Sequence, residues 1–131
     1  MKNRVLVFDL DDTLYKEIDF LRSAYLEIAK TLESQFAING LYPFMFQAYV
    51  KGLDVFSCLI NTYGLPVTKE KLLNMYRSHY PNLQLENDVE NTLGVLKQKY
   101  KLGIITDGRS ITQRNKFQTL GLSRFIDEDN L

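Results

Sequence analysis

The pattern of apolar and polar residues predicts an α/β domain interrupted by helices. Val5-Leu6-Val7-Phe8 is a continuous apolar run of β-branched and aromatic residues, typical of a parallel strand buried on both faces. Leu102-Gly103-Ile104-Ile105-Thr106 has the same character and predicts a second buried strand. Each run ends in polar residues at the carboxyl end of its strand, where open α/β sheets place their chemistry.

Between the two strands, apolar residues at three- and four-residue steps predict three consecutive helices. The first covers 15–38 and the second about 43–61, while the third begins at Thr68, a predicted N-cap, and ends at Tyr80. No strand is predicted between them, so the usual alternation of strand and helix is interrupted. We interpret these helices as an inserted helical subdomain.

The α/β pattern returns with a helix for which Asn87 is the predicted N-cap. After the second strand, Ser110 begins another predicted helix that continues to Leu120 and ends at Gly121. Arg124-Phe125-Ile126-Asp127 predicts the entry to a third strand. The predicted domains are an α/β core over 1–14 and 86–131 and a helical insertion over 15–85.

Composition limits the classes of function. The 131 residues carry 16 Lys and Arg against 16 Asp and Glu, so no net charge attracts nucleic acid. No apolar run approaches the length of a membrane span, and the N-terminal apolar run is too short for a secretory signal. The single cysteine, Cys58, excludes an intramolecular disulfide and a cysteine metal cluster. We therefore predict a cytoplasmic protein that binds neither nucleic acid nor membranes.

Acidic residues follow the first strand directly. Asp9 and Asp11 suit a division of labour in which one carboxylate attacks a phosphorus or carbon centre. The other, kept partly protonated, would donate a proton to the leaving oxygen and later activate water. Close carboxylates also suit Mg²⁺, which prefers oxygen ligands and shares them with substrate phosphate. The alternative is a solvated acidic turn that caps the next helix, with Thr13 as the cap, and the acid pair alone does not decide.

The wider pattern favours the chemical alternative. Phe8-Asp9-Leu10-Asp11-Asp12-Thr13-Leu14 resembles the first signature of the haloacid dehalogenase (HAD) superfamily, an apolar strand followed by Asp-x-Asp-x-Thr. Ile104-Ile105-Thr106-Asp107-Gly108 resembles the second signature, an apolar strand that ends in Thr or Ser. The separation of the two fits a helical cap inserted after the first strand. The resemblance implies a HAD-like Rossmannoid parallel sheet, incomplete here, with an inserted α-helical cap.

The resemblance also implies a role for each matching position. Asp9 would be the nucleophile that forms an aspartyl-phosphate, and Asp11 the general acid/base. The Asp9 carboxylate and the Asp11 backbone carbonyl would bind Mg²⁺, and the Thr106 hydroxyl would hydrogen-bond the transferring phosphoryl group. An acid at position 11 indicates phosphoryl transfer, because dehalogenating members lack it. The further predicted substrate-binding residues are Leu10, Asp107 and Gly108.

The resemblance covers only the front part of the family's domain. Neither the family's phosphoryl-binding Lys nor its later pair of metal-binding acids is identifiable. Lys116 follows Thr106 by about ten helical residues, and a rise of ~1.5 Å per residue would place it roughly 15 Å away, which predicts a surface lysine. The terminal acids Asp127, Glu128 and Asp129 follow the predicted third strand and are not assigned as metal ligands.

Two functions remain open. The first is a Mg²⁺-dependent phosphatase for a small phosphorylated metabolite, because a cap over the strand ends leaves room for a sugar phosphate or nucleotide but not for a folded protein. Tyr15, Arg22 and Tyr25 are candidate substrate selectors. The second is a truncated, catalytically impaired HAD-like interaction module. Because only the front part of the domain is present, the strand Arg4 to Asp9 would have an unpaired apolar edge, which invites association. The chain is then either a truncated family member or one whose missing strands are supplied by another copy or a partner.

Overall fold

The computed structural model describes residues 4–106 and 108–127. The chain forms two compact units. The α/β unit comprises Met1–Phe20 and Tyr80–Leu131, and the helical unit comprises Leu21–His79. The predicted insertion, 15–85, extends slightly beyond the helical unit at both ends. Its role as a cap stays a prediction.

A short parallel sheet forms the centre of the α/β unit. Strands β1 (Val5–Asp9) and β2 (Lys101–Ile105) are hydrogen-bonded in parallel, and Asp9 pairs with Ile105 at their carboxyl ends. Both strands were predicted from the apolar runs, and both are confirmed. Because the strands are parallel and in register, the loops that follow them begin side by side.

The prediction that β1 is buried on both faces was wrong. Val5 and Val7 are 57% and 49% exposed, whereas Leu102 and Ile104 in β2 are buried. Among the described residues, β1 has a neighbouring strand on one edge only, so one edge and one face of the strand stay open. The sheet is therefore incomplete, as predicted.

The described residues also form six α-helices. None of the helices in the described residues is long and apolar enough to cross a membrane. The helices are α1 (Glu17–Phe36), α2 (Leu41–Val50), α3 (Val55–Tyr63), α4 (Lys69–Ser78), α5 (Asn87–Lys99) and α6 (Ser110–Thr119).

The predicted second helix, 43–61, is two helices in the structure. Gly52 lies between them with φ of +72°, a left-handed conformation that side chains disfavour and that ends the first helix. Asp54 then begins α3 as its N-cap, because its carboxylate accepts a hydrogen bond from the Ser57 N–H. Thr68 is the N-cap of α4, as predicted, and accepts from the Lys71 N–H at 3.1 Å.

Two further predictions in the α/β unit were wrong. Asn87 is the first residue of α5 rather than its N-cap. The predicted third strand is not formed in the described residues, because Leu122–Arg124 is a short 3₁₀ helix. The N–H groups of Phe125 and Ile126 both bond to the Leu122 carbonyl, which turns the chain where a strand would need extended backbone.

Candidate active site

The candidate site lies at the carboxyl ends of β1 and β2. Asp9 is the last residue of β1 and its side chain is exposed. Asp9 and Thr106 line the same open cleft of about 390 Å³, together with Ile105. The parallel register thus brings Asp9 of the first predicted signature and Thr106 of the second to one cleft.

A tight turn follows β1. The Leu10 side chain is fully buried, and its carbonyl accepts the N–H of Leu14 at 3.1 Å. Asp12 adopts φ of +61°, which Asp tolerates better than most residues, and its carboxylate accepts the N–H of Glu17, the first residue of α1. Asp12, rather than Thr13, thus caps this helix terminus. Leu10, one of the predicted substrate-binding residues, is therefore fully buried, and its carbonyl is already bonded within this turn.

Three donors surround the Asp11 carboxylate. Lys116 Nζ lies 2.8 Å from Oδ1, which also accepts the Tyr15 hydroxyl, and Gln113 Nε2 lies 2.9 Å from Oδ2. Burial raises the pKa of Asp11, but the hydrogen bonds from Lys116, Tyr15 and Gln113 together outweigh it and hold this pKa below its ordinary value. The contacts therefore favour an ionised Asp11, the form that accepts a proton as a general base.

Lys116 is not the surface lysine that its position along the helix predicts. It is only 4% exposed, and its Nζ lies 4.5 Å from the centre of the Phe20 ring as well as beside Asp11. The distance of about 15 Å predicted between Thr106 and Lys116 runs along the helix axis. The relevant neighbour is instead the loop after β1, against which α6 packs.

Gln113 connects the loops after the two strands. It is 2% exposed, and its Nε2 donates to both Asp11 Oδ2 and Thr106 Oγ1, at 2.9 and 2.5 Å. Rotating the amide by 180° would place its oxygen against the carboxylate, so the hydrogen bonds determine its orientation. In this orientation Oε1 is buried without a partner among the described residues. Burying such an acceptor costs on the order of 1–3 kcal/mol.

Gly108 provides the space that Gln113 occupies. A Cβ at position 108 would lie 2.4 Å from Gln113 Cδ, so any side chain there would displace the amide. The Gly108 N–H also donates to Thr106 Oγ1 at 3.2 Å. Asp107, the remaining predicted substrate-binding residue, lies outside the described residues.

The sequence pattern did not predict Gln113 or Lys116 as residues of the site. The buried residues of α6 are Thr112, Gln113, Lys116 and Phe117, so the buried face of this helix is mostly polar. Ile111, by contrast, is 55% exposed on the same helix. Polar residues on the buried face and an isoleucine outside it indicate that this face contacts something polar.

The oxygen atoms near Asp9 fit a magnesium ion in part. Mg²⁺ usually takes one or two carboxylates, keeps several waters and shares substrate phosphate. The exposed Asp9 carboxylate meets that description, whereas the Asp11 carboxylate is occupied by Lys116, Tyr15 and Gln113, which leaves Asp11 its backbone carbonyl. The described residues contain no group of three or more His, Cys, Asp or Glu side chains able to hold a metal ion.

Comparison with known sequences links the chain to one family. A family model described as haloacid dehalogenase-like hydrolase matches residues 6–128. A glyceraldehyde 3-phosphate phosphatase from Methanocaldococcus jannaschii is 27% identical over 135 aligned residues, which cover 94% of this chain. The chain spans 59% of the length of that relative.

Solved structures of similar fold include hydrolases and dehalogenases. The HAD-hydrolase YfnB from Bacillus subtilis, determined with bound magnesium, superposes with a TM-score of 0.60 at 23% identity and covers 97% of this chain and 62% of its own. An L-2-haloacid dehalogenase from Xanthobacter autotrophicus superposes with a TM-score of 0.52 at 19% identity, covering 97% of this chain and 55% of its own. At these identities, the likeness establishes the fold.

Proposed function

The chain belongs to the haloacid dehalogenase-like hydrolase family, and from that premise we propose that it carries part of a Mg²⁺-dependent phosphatase site for a small phosphorylated metabolite. The observation that carries the proposal is the shared cleft of Asp9 and Thr106 at the ends of two parallel strands. A carboxylate nucleophile and a hydroxyl donor on one cleft are the groups that phosphoryl transfer from a phosphate ester requires.

Asp9 is the proposed nucleophile. Its exposed carboxylate attacks phosphorus, the ester oxygen leaves with its bonding electrons, and an aspartyl-phosphate results. Asp11, held ionised by Lys116, then removes a proton from the water that hydrolyses this acyl phosphate. To protonate the leaving oxygen in the first step, Asp11 must first acquire a proton, which its donors in this structure disfavour.

The Asp9 carboxylate and the Asp11 backbone carbonyl are the groups that would hold Mg²⁺. The ion would supply charge neutralisation for the phosphoryl oxygens. The magnesium bound to the Bacillus subtilis hydrolase supports this assignment by analogy of fold. Thr106 supplies an uncharged hydroxyl donor beside the carboxylate.

A small substrate is the class that the relatives support. The similar Methanocaldococcus jannaschii protein is named for glyceraldehyde 3-phosphate, a three-carbon phosphate ester. Dehalogenases share the fold, but the acid at position 11 favours phosphoryl transfer in this chain. We propose a cytoplasmic location, which accords with a metabolite substrate.

The test is hydrolysis of an aryl phosphate by the 131-residue chain, with and without Mg²⁺. We expect metal-dependent turnover that Asp9→Asn abolishes, because an amide is a far weaker nucleophile than a carboxylate. Asp19→Asn, an exposed position in the first turn of α1, is the matched control and should retain activity. Turnover that survives Asp9→Asn, or its absence from the folded chain, would contradict the proposal.

A second candidate function is an interaction module that associates through β1. The exposed Val5 and Val7 and the open edge of this strand favour it, because an unpaired apolar strand pairs readily with another chain. We propose that two copies associate through this edge. Sedimentation equilibrium should then show a dimer that Val7→Lys weakens, whereas a monomer over the whole concentration range would refute the association.

A further inference from the structure

We propose that Gln113 is a positioning residue that sets the direction of the Thr106 hydroxyl, so that its proton is donated into the cleft that Asp9 lines. The proposal rests on the proposed phosphoryl transfer, which it deepens by assigning an additional residue to the same site. Gln113 lies on α6, outside both sequence signatures.

The Thr106 hydroxyl has a limited hydrogen-bonding capacity. A threonine hydroxyl has one proton to donate and two lone pairs that accept. Thr106 Oγ1 accepts from the Gly108 N–H at 3.2 Å and from Gln113 Nε2 at 2.5 Å. Both lone pairs are therefore used, and only the proton remains. The part of the chain that the structure describes offers this proton no acceptor. Thr106 also lines the cleft that Asp9 lines, so the proton can be donated into that cleft.

The hydrogen bond to Asp11 sets the orientation of the Gln113 side-chain amide. An ionised carboxylate can only accept, so Asp11 Oδ2 requires the amide nitrogen and not the amide oxygen. Nε2 has two protons, and Asp11 takes one of them while Thr106 takes the other. Gln113 therefore cannot accept the Thr106 proton. Lys116 completes the arrangement by holding the other oxygen of Asp11.

The donor and the acceptor are therefore determined in each hydrogen bond that links Asp11, Gln113 and Thr106. A phosphoryl group presents acceptor oxygens, so a hydroxyl that is free to donate complements it. If the amide were reversed, the Thr106 proton would instead point back at the amide oxygen. The unpartnered Oε1 and the lack of a side chain at Gly108 both fit an amide held in one orientation.

The test is a double-mutant cycle between Gln113 and Thr106. Gln113→Met removes both N–H donors at similar length, and Thr106→Val removes the hydroxyl at similar shape. We expect Gln113→Met to lower kcat for an aryl phosphate roughly 10- to 100-fold, less than the loss of a direct oxyanion donor. KM should change little. Gln118→Met, at an exposed position of the same helix, is the matched control and should be unchanged.

The coupling between the two changes decides the proposal. If Gln113 acts through the Thr106 hydroxyl, the double variant loses no more activity than Thr106→Val alone. A purely structural role predicts losses that multiply, and that outcome would overturn the proposal, as would a Gln113→Met variant as active as Gln118→Met. If Gln113→Met does not fold, Gln113→Asn, which is too short to bridge both partners, takes its place in the cycle with the same expectation.

A second readout separates this inference from the proposed function. Inorganic phosphate should raise the melting temperature of the unmodified chain, whether or not the chain turns over a phosphate ester. Thr106→Val should reduce this shift, Gln113→Met should reduce it too, and the double variant should match Thr106→Val. Absent turnover together with this pattern would refute the phosphatase and retain the role of Gln113. A phosphate shift that Gln113→Met leaves intact, or no shift at all, would refute the role itself.

Discussion

Replacing Lys116 by Met tests whether the lysine is the buried partner of Asp11. Methionine keeps most of the apolar stem that packs near Phe20 and removes only the ammonium group. The Lys116 side chain is 5% exposed and that of Asp11 is 25% exposed, so the ion pair is largely, but not fully, removed from water. The variant therefore leaves a partly buried carboxylate without its cation.

The expected loss follows from this burial. Removing one member of a fully buried ion pair costs about 3–5 kcal/mol, because the remaining charge is desolvated and unpaired. Asp11 retains access to water and the donors Tyr15 and Gln113, so we expect a smaller loss of roughly 2–3 kcal/mol. For a domain of this size that is a fall in melting temperature of roughly 6–15 °C.

Urea unfolding followed by circular dichroism measures this loss. Lys69→Met is the matched control, because Lys69 pairs with Asp54 at an exposed position and its removal should change stability little. Adding Asp11→Asn to Lys116→Met should restore part of the stability, since no charge is then left unpaired. A Lys116→Met variant as stable as Lys69→Met, or a double variant that lost the sum of both single effects, would refute the buried ion pair as the source of this stability.

Two further predictions concern the same network. The pKa of Asp11 is held below its ordinary value, so its stabilising contribution is complete above that ordinary value of about 4 and is lost as pH falls through the lowered pKa. We therefore compare the free energy of unfolding of the unmodified chain with that of Asp11→Asn, by urea unfolding from pH 7 downward. The difference between the two should shrink only at acidic pH. A difference that does not change with pH would contradict this prediction. Gly108→Ala should lower kcat and leave far-ultraviolet circular dichroism unchanged, because the new Cβ displaces the Gln113 amide. An unchanged kcat in this variant would show that the position of the Gln113 amide beside Gly108 does not matter for turnover.

Local sequence determined the strands and the acids that follow them. A short apolar run that ends abruptly in polar residues specifies a strand and its carboxyl end without reference to distant residues. Because parallel strands present their carboxyl ends together, Asp9 and Thr106 could be placed on one edge from the sequence. The match of the family over 6–128 confirms the assignment that these two motifs supported.

Tertiary structure alone decided how the acids are surrounded. Lys116 and Gln113 stand 105 and 102 residues from Asp11 along the chain, and their side chains meet it only because α6 packs against the loop after β1. Helical rise measures distance along one axis, whereas a lysine side chain spans several ångströms across it. The exposure of Val5 likewise depends on which strands lie beside β1, not on its own apolar run. Residue type therefore specified the chemistry available at Asp9 and Asp11, while packing specified the partners and charge state of Asp11.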